Sequence, residues 1–201
     1  MAMEIPAALV KQLRDATGAG MMECKAALQQ ANGNLEEATL ILRKRGLAQA
    51  SKKSGRSTSE GLIGSYIHMG GKIGVLVELN CESDFVARTD DFQTLLREIA
   101  LQVAAANPQY VSRDQVPADV IDRERGVYRG QLENSGKPGP VIEKIIEGKL
   151  GSFYEQVCLW DQPSIRDPKQ TVGAMLQAAI AKLGENIGVA RFVRFKVGEA
   201  R

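Results

Sequence analysis

The sequence has few of the residues from which covalent frameworks and metal centres are built. It contains three cysteines and one histidine among 201 residues. Cys24, Cys81 and Cys158 are widely spaced and form no CxxC pair, so neither a disulfide framework nor a zinc site is predicted. We expect no metal ion or other cofactor, and we expect each cysteine to be a small buried hydrophobe.

The sequence also lacks a large net charge and long apolar runs. Its formal net charge of +2 is too small to favour direct binding of nucleic acid through bulk electrostatics. No apolar run approaches the roughly 20 residues that a bilayer span requires. The first 17 residues mix charges with apolar positions, where a secretory signal would be continuously apolar. We therefore expect no membrane partner and a cytoplasmic location.

The first 50 residues show helical periodicity in three short segments. Residues 5–17 and 22–32 place apolar side chains at helical spacing. Asn34 is positioned to cap a third helix, which is predicted to end near Gly46. Residues 1–50 are therefore predicted to form an N-terminal three-helix module. Such a module buries only a small core alone.

The pattern changes beyond this module. Residues 51–60 are polar and basic, and they are predicted to form a linker whose first part can extend the third helix. The apolar period then becomes two, as in a half-buried strand, with Gly70 and Gly71 at a hairpin turn. Helices over 118–133 and 140–154 and a final strand follow. This order predicts an α+β class, in which residues 61–201 form a core of antiparallel sheet packed with helices.

The segment NCESDFVART joins a predicted strand to a predicted helix and carries an isolated aromatic residue, Phe85. One interpretation places Phe85 in the core, as for most isolated aromatics. The other places it outside, because loops carry binding residues and Glu82, Ser83 and Asp84 precede it directly. An exposed aromatic at this point is able to fill a pocket of a partner protein.

Two other features leave alternatives open. In GAGMM, Met21 and Met22 cannot both enter one helical face, so either one is exposed to a partner or both fill gaps between the helices. Cys81, His68 and Asp84 supply the residue types of a cysteine hydrolase. Nothing in the sequence places these three side chains within hydrogen-bond reach of one another.

Several motifs in one order resemble a known family. They are VKQLRDATGAGMMECKAAL near the start, NCESDFV after the second strand, SGKP with the following IEKIIEGKL, and RFVRFKVGE near the end. The sequence resembles translation elongation factor Ts, the bacterial and organellar nucleotide-exchange factor of elongation factor Tu. The location is then the cytoplasm, or the stroma or matrix of an organelle.

The resemblance implies a function and a set of contact residues. The N-terminal module is similar to ubiquitin-associated domains, and its Lys11, Arg14, Met21 and Met22 match positions that contact elongation factor Tu. Asp84, Phe85 and Val86 match a core motif, and the phenylalanine of that motif inserts between two helices of Tu and disturbs its magnesium and phosphate sites. Such a protein binds Tu with GDP and without nucleotide, and it is not an enzyme.

The sequence departs from the longer members of that family. It carries one core subdomain instead of two, and it is expected to lack both their coiled-coil insertion and their C-terminal helical tail. A homodimer is therefore expected, in which a second copy supplies the missing surface. His68 resembles a Tu-contacting histidine of the longer form, and Ser83 replaces the usual threonine. The alternative function is a helical adaptor that binds a partner without promoting nucleotide exchange.

Overall fold

The computed structural model describes residues 5–133 and 135–199 and has the predicted α+β class. Residues 1–4 of the predicted N-terminal module, and Asn134 and residues 200–201 of the predicted core, lie outside the described residues. None of the helices described is long and apolar enough to cross a membrane. In chain order the elements are α1 (Ala7–Thr17), α2 (Met21–Gln30), α3 (Leu35–Lys53), β1 (Glu60–Ile67), β2 (Ile73–Cys81), α4 (Asp84–Ala87), α5 (Asp90–Ala106), a 3-10 turn (Arg113–Gln115), α6 (Ala118–Leu132), α7 (Gly139–Val157), α8 (Val172–Leu183) and β3 (Ile187–Lys196).

The chain divides into two compact units. The first unit holds the residues up to Leu62 together with Asn80–Leu95 and Leu176–Gly188. The second unit holds Ile63–Leu79, Leu96–Met175 and the residues from Val189 onwards. The predicted domain boundaries at 1–50, 51–60 and 61–201 stay a prediction. Helix α3 runs to Lys53, so the first three residues of the predicted linker are helical.

Helices α1, α2 and α3 pack on one another, as the three-helix prediction requires. Their core is small and built from short side chains, with Cys24, Ala27, Leu28 and Ala38 completely buried. The Asn34 side chain accepts a hydrogen bond of 3.1 Å from the backbone N–H of Glu37, which confirms its predicted role as the N-cap of α3.

The predicted end of α3 near Gly46 is wrong, because the helix continues to Lys53. Gly46 is a site of close approach to another helix. A Cβ atom built on Gly46 would lie 3.0 Å from the Cβ of Ala181 in α8. The glycine therefore allows two backbones of the first unit to approach each other, and a C-cap and a close contact look alike in a sequence.

The three strands form an antiparallel sheet in the order β1-β2-β3, with β2 in the centre. The predicted hairpin between β1 and β2 is confirmed. Gly70 and Gly71 both have positive φ, at 89° and 68°, which glycine adopts without strain. The backbone N–H of His68 donates to the carbonyl of Ile73 across the hairpin at 2.9 Å. The predicted alternation of β2 is also present, since Val75, Val77, Leu79 and Cys81 are buried.

Helices α6 and α7 of the second unit pack on each other as an antiparallel pair. Arg125 pairs with Glu147 at 2.7 Å, and Arg129 pairs with Glu143 at 2.6 Å. The Nζ atom of Lys149 lies 5.3 Å from the ring centroid of Tyr128. The expectation that the chain lacks the coiled-coil insertion of the longer members stays a prediction. The two helices were each predicted, but the cross-helix ion pairs that join them follow no local periodicity.

Candidate functional site

Phe85 lies exposed in a helix of a single turn. Strand β2 ends at Cys81, Ser83 keeps an extended backbone, and α4 begins at Asp84. Phe85 is 78% exposed. The interpretation of Phe85 as a core aromatic is therefore wrong, and the expectation that it is exposed in the free protein is confirmed.

The neighbours of Phe85 explain its outward orientation. Ala87 of the same turn is buried, and it lies about 200° around the helix from Phe85. Phe92, at the start of α5, is completely buried. The aromatic that this part of the first unit needs for its core is thus Phe92, and Phe85 lies on the side of α4 that the fold leaves open.

Side-chain hydrogen bonds hold both ends of α4. At the N-terminal end, the Ser83 hydroxyl accepts from the backbone N–H of Val86 at 3.5 Å. At the C-terminal end, the Thr89 hydroxyl donates to the carbonyl of Val86 at 2.7 Å and accepts from the N–H of Phe92 at 3.3 Å. Because one helical turn is unstable on its own, these contacts determine where the turn lies.

The strongest anchor comes from a residue about 100 positions further along the chain. One carboxylate oxygen of Glu185 accepts from the backbone N–H groups of Glu82 and Ser83 at 3.1 and 3.0 Å. The other oxygen accepts from the Ser83 hydroxyl at 2.6 Å. Hydrogen bonds to an ionised acceptor are stronger than neutral ones. Glu185 therefore fixes the segment that leads into α4.

A second hydrogen bond joins the segment before α4 to the connection between α8 and β3. Here the segment before α4 supplies the carboxylate, and the connection supplies the backbone N–H. The backbone N–H of Asn186 donates to the carboxylate of Glu82 at 2.6 Å. This hydrogen bond, followed by the charge of Arg56 at 3.3 Å, lowers the pKa of Glu82. The Asn186 side chain also donates to the carbonyl of Arg56 at 2.8 Å.

Sequence reasoning missed both Glu185 and Asn186. They stand in the short connection between α8 and β3, where no apolar periodicity or motif marks a polar residue as structural. A weak signal exists in Gly184, whose φ of 80° ends α8 and turns the chain towards the segment around Ser83.

Asp84 and Val86 complete the predicted core motif. The Asp84 carboxylate pairs with the guanidinium of Arg88 at 2.6 Å, one helical turn away, and both side chains are substantially exposed. Val86 is half-buried. The structure thus brings Asp84, Phe85 and Val86 onto one short turn, with the carboxylate and the phenyl ring accessible.

The environment of Cys81 does not favour the hydrolase alternative. Cys81 is buried, and its thiol donates to the carbonyl of Ser83 at 3.1 Å. Burial, and next the charge of Glu185, raise the pKa of this thiol. A nucleophilic cysteine needs the opposite shift, because the thiolate is the reactive form. Among the described residues, no group of three or more histidine, cysteine and acidic side chains is placed to hold a metal ion.

A second set of predicted contact residues lies on the N-terminal helices. Lys11 and Arg14 are exposed on α1. Met21 and Met22, at the start of α2, are 57% and 74% exposed. The alternative in which both methionines fill gaps between the helices is wrong, because Cys24, Ala27 and Leu28 fill that space.

His68 directly follows β1, in the second unit. Its side chain is exposed, and its Nδ1 atom lies 3.0 Å from the hydroxyl of Tyr66. His68 and the Phe85 segment belong to different units. The contact role of His68 stays a prediction.

One face of the sheet in the second unit is apolar and uncovered. Its side chains are each between 40% and 68% exposed. Leu76 alternates with the buried Val75 and Val77, which places it on this side of β2. The ion pair between Glu78 and Arg191, at 2.7 Å, crosses the face. We call this surface the outer sheet face and define it by Ile63, Ile67, Leu76, Val193 and Phe195.

Comparison with known proteins gives one consistent result. The family model described as "Elongation factor TS" matches residues 5–199. The chain belongs to the elongation factor Ts family. The match extends from the N-terminal helices to the end of β3, so membership rests on both units.

Relatives in this family are covered over almost their whole length. The elongation factor Ts of Fervidobacterium nodosum is 61% identical over 197 residues, which are 98% of this chain and 100% of the relative. That of Thermosipho melanesiensis is 60% identical over 195 residues, which are 97% of this chain and 100% of the relative. That of Solibacter usitatus is 56% identical over 198 residues, which are 98% of this chain and 93% of the relative. The chain therefore spans nearly the full length of each of these relatives.

Proposed function

We propose that this elongation factor Ts binds elongation factor Tu, both with GDP and without nucleotide, and promotes the release of GDP. In this proposal Phe85, together with Asp84, inserts between two helices of the nucleotide-binding domain of Tu and disturbs the magnesium and phosphate sites. The observation that supports it is the exposure of Phe85 on an anchored turn, in a member of the elongation factor Ts family.

The free energy gained by burying the Phe85 ring in a partner is comparable with the coupling free energy that nucleotide release requires. Burying a phenylalanine side chain removes on the order of 150 Å² or more from water. At about 25 cal/mol per Å², this corresponds to roughly 4 kcal/mol before the costs of association. The ring is already exposed, so no part of the free protein has to open for it to reach a partner. An aromatic anchor on a preordered turn is typical of a dominant interface residue.

Nucleotide release then follows from coupling between two binding equilibria. If binding of elongation factor Ts weakens GDP binding, GDP must weaken binding of elongation factor Ts by the same factor. Each tenfold loss of GDP affinity requires about 1.4 kcal/mol of such coupling. No covalent bond is made or broken in this scheme, so the protein acts as an exchange factor and not as an enzyme.

The N-terminal helices provide a second contact in this proposal. Lys11 and Arg14 supply positive charge, and Met21 and Met22 supply flexible apolar side chains that adapt to a partner's surface. His68 is proposed as a further contact with Tu from the second unit.

The test measures the release of labelled GDP from preloaded elongation factor Tu, with and without this protein. The proposal requires a clear acceleration that saturates with protein concentration. Binding to Tu without acceleration would support the helical adaptor instead. Replacing Cys81 with alanine is expected to leave the acceleration within about two-fold, since a buried thiol with a raised pKa supplies no nucleophile.

The ion pair between Asp84 and Arg88 is expected to be easily broken. An exposed pair one helical turn apart contributes about 0.3–0.5 kcal/mol. Replacing Arg88 with glutamine should therefore change the rate of GDP release by less than about two-fold. A tenfold or larger loss, at about 1.4 kcal/mol, would contradict this and would show that the pair holds the motif in its active shape.

We also propose that two copies of the chain associate through the outer sheet face. Sheets that pack face to face bury apolar side chains between them, and the five residues of this face are otherwise open to water. Glu78 and Arg191 pair on this face at 2.7 Å, so their two charges offset each other. A second identical face therefore meets the same five apolar side chains, as a two-fold symmetric interface requires.

A further inference from the structure

We propose that Glu185 is a positioning residue for Phe85, and this inference rests on the proposed exchange function. Glu185 does not touch the partner in this proposal. It acts through the backbone of the segment that carries Phe85, and it belongs to the same unit.

The need for an external anchor follows from the shape of the site. Because Phe85 is exposed, its own ring makes too little contact with the fold to fix its position. Helix α4 is four residues long, and a single turn of this length does not persist by itself. The position of the ring therefore depends on the contacts that hold the backbone on either side of α4, and on the N-terminal side these contacts are at Glu82 and Ser83.

Glu185 meets this need with three hydrogen bonds of 2.6–3.1 Å to two consecutive residues. Two of the donors are backbone N–H groups immediately before α4, and the third is the hydroxyl of Ser83, the residue that caps α4. A binding residue held in place before association loses less conformational entropy on binding. Loss of the Glu185 carboxylate is thus expected to weaken the action of Phe85 without removing Phe85.

The test measures GDP release with Glu185→Ala, Glu185→Gln and the matched control Glu155→Ala, whose glutamate is exposed on α7. We expect Glu185→Ala to reduce the acceleration roughly tenfold, which corresponds to about 1.4 kcal/mol, the size expected for hydrogen bonds to a charged group. Glu185→Gln should recover most of the activity, because its carbonyl oxygen accepts the two N–H bonds and its amide donates to Ser83. The control should match the wild type.

Making the same substitution in a protein that already carries Phe85→Ala distinguishes positioning of Phe85 from a general structural role. If Glu185 acts through Phe85, then Glu185→Ala introduced into Phe85→Ala should change the remaining release rate by less than about two-fold. An undiminished tenfold loss in that background would overturn the proposal. So would an unchanged acceleration when Glu185→Ala is made in the wild type.

Hydrogen exchange in the free protein gives a readout that does not depend on elongation factor Tu. In Glu185→Ala, the amides of Glu82, Ser83, Ala87 and Arg88 should exchange faster, while the amide of Val77 in central β2 should be unchanged. Glu185→Gln should restore the slow exchange. If the alanine variant loses its fold, Glu185→Asp carries the test, because its shorter side chain draws the carboxylate away from Glu82 and Ser83 and should speed the exchange of the same amides. Unchanged exchange at Ala87 and Arg88 in a folded Glu185→Ala would overturn positioning. If the wild type does not accelerate GDP release from elongation factor Tu but these amides exchange faster in Glu185→Ala, only the proposed exchange function is wrong.

Discussion

Replacing Phe85 with alanine is expected to reduce the acceleration of GDP release about 30-fold or more. Truncation of a central aromatic anchor typically costs at least about 2 kcal/mol of binding free energy, and this corresponds to roughly a 30-fold change. The fold should not suffer, because Phe85 is 78% exposed and lies outside the core. The measurement is the rate of labelled GDP release at saturating and subsaturating protein, together with the melting temperature of each variant.

Matched variants make this result specific to the phenyl ring. Phe85→Leu keeps an apolar side chain at the same point and should lose less activity than Phe85→Ala. Val127→Ala truncates another exposed apolar residue, on α6 of the second unit, and should match the wild type. Equal activity of Phe85→Ala and the wild type, with both folded, would show that Phe85 is not the residue that promotes nucleotide release.

Several elements of the fold were predictable because each has a local signal. The hairpin at Gly70 and Gly71 follows from paired glycines between alternating segments, and the start of α3 follows from Asn34. The exposure of Phe85 followed from its polar neighbours and from the motif NCESDFV, whereas composition alone favoured a core aromatic. The structure adds the physical reason, since Phe92 already occupies the core in this region.

Other features of the fold and of the site depend on contacts between distant segments and leave no local signal. Glu185 meets Ser83 across about 100 residues, and a single glutamate in a short connection has the same appearance whether it is solvated or structural. Gly46 resembles a C-cap in the sequence, but it is a point where α3 approaches α8. The pairing of α6 with α7 similarly rests on cross-helix ion pairs. Predictions of this kind require the fold to be known first.

Placing a charge on the outer sheet face is expected to separate the proposed homodimer. In Val193→Lys, the ammonium group would lie between two apolar sheets, where an unpaired charge costs several kcal/mol. We expect the dimer dissociation constant to rise at least about 100-fold, which corresponds to about 2.8 kcal/mol. Sedimentation equilibrium over a range of concentrations should then give the 21.8 kDa monomer where the wild type gives twice that mass.

The matched control is Val127→Lys, which places the same charge at another exposed valine, on α6. It should leave the mass of the wild type unchanged, because Val127 lies outside the outer sheet face. A wild type that stays monomeric at high concentration would contradict the dimer. If the wild type is monomeric and Val193→Lys weakens binding to elongation factor Tu, the outer sheet face contacts Tu instead of a second copy. A dimer that resists Val193→Lys would place the interface on a different surface, because the apolar face could not remain packed around a buried, unpaired ammonium group.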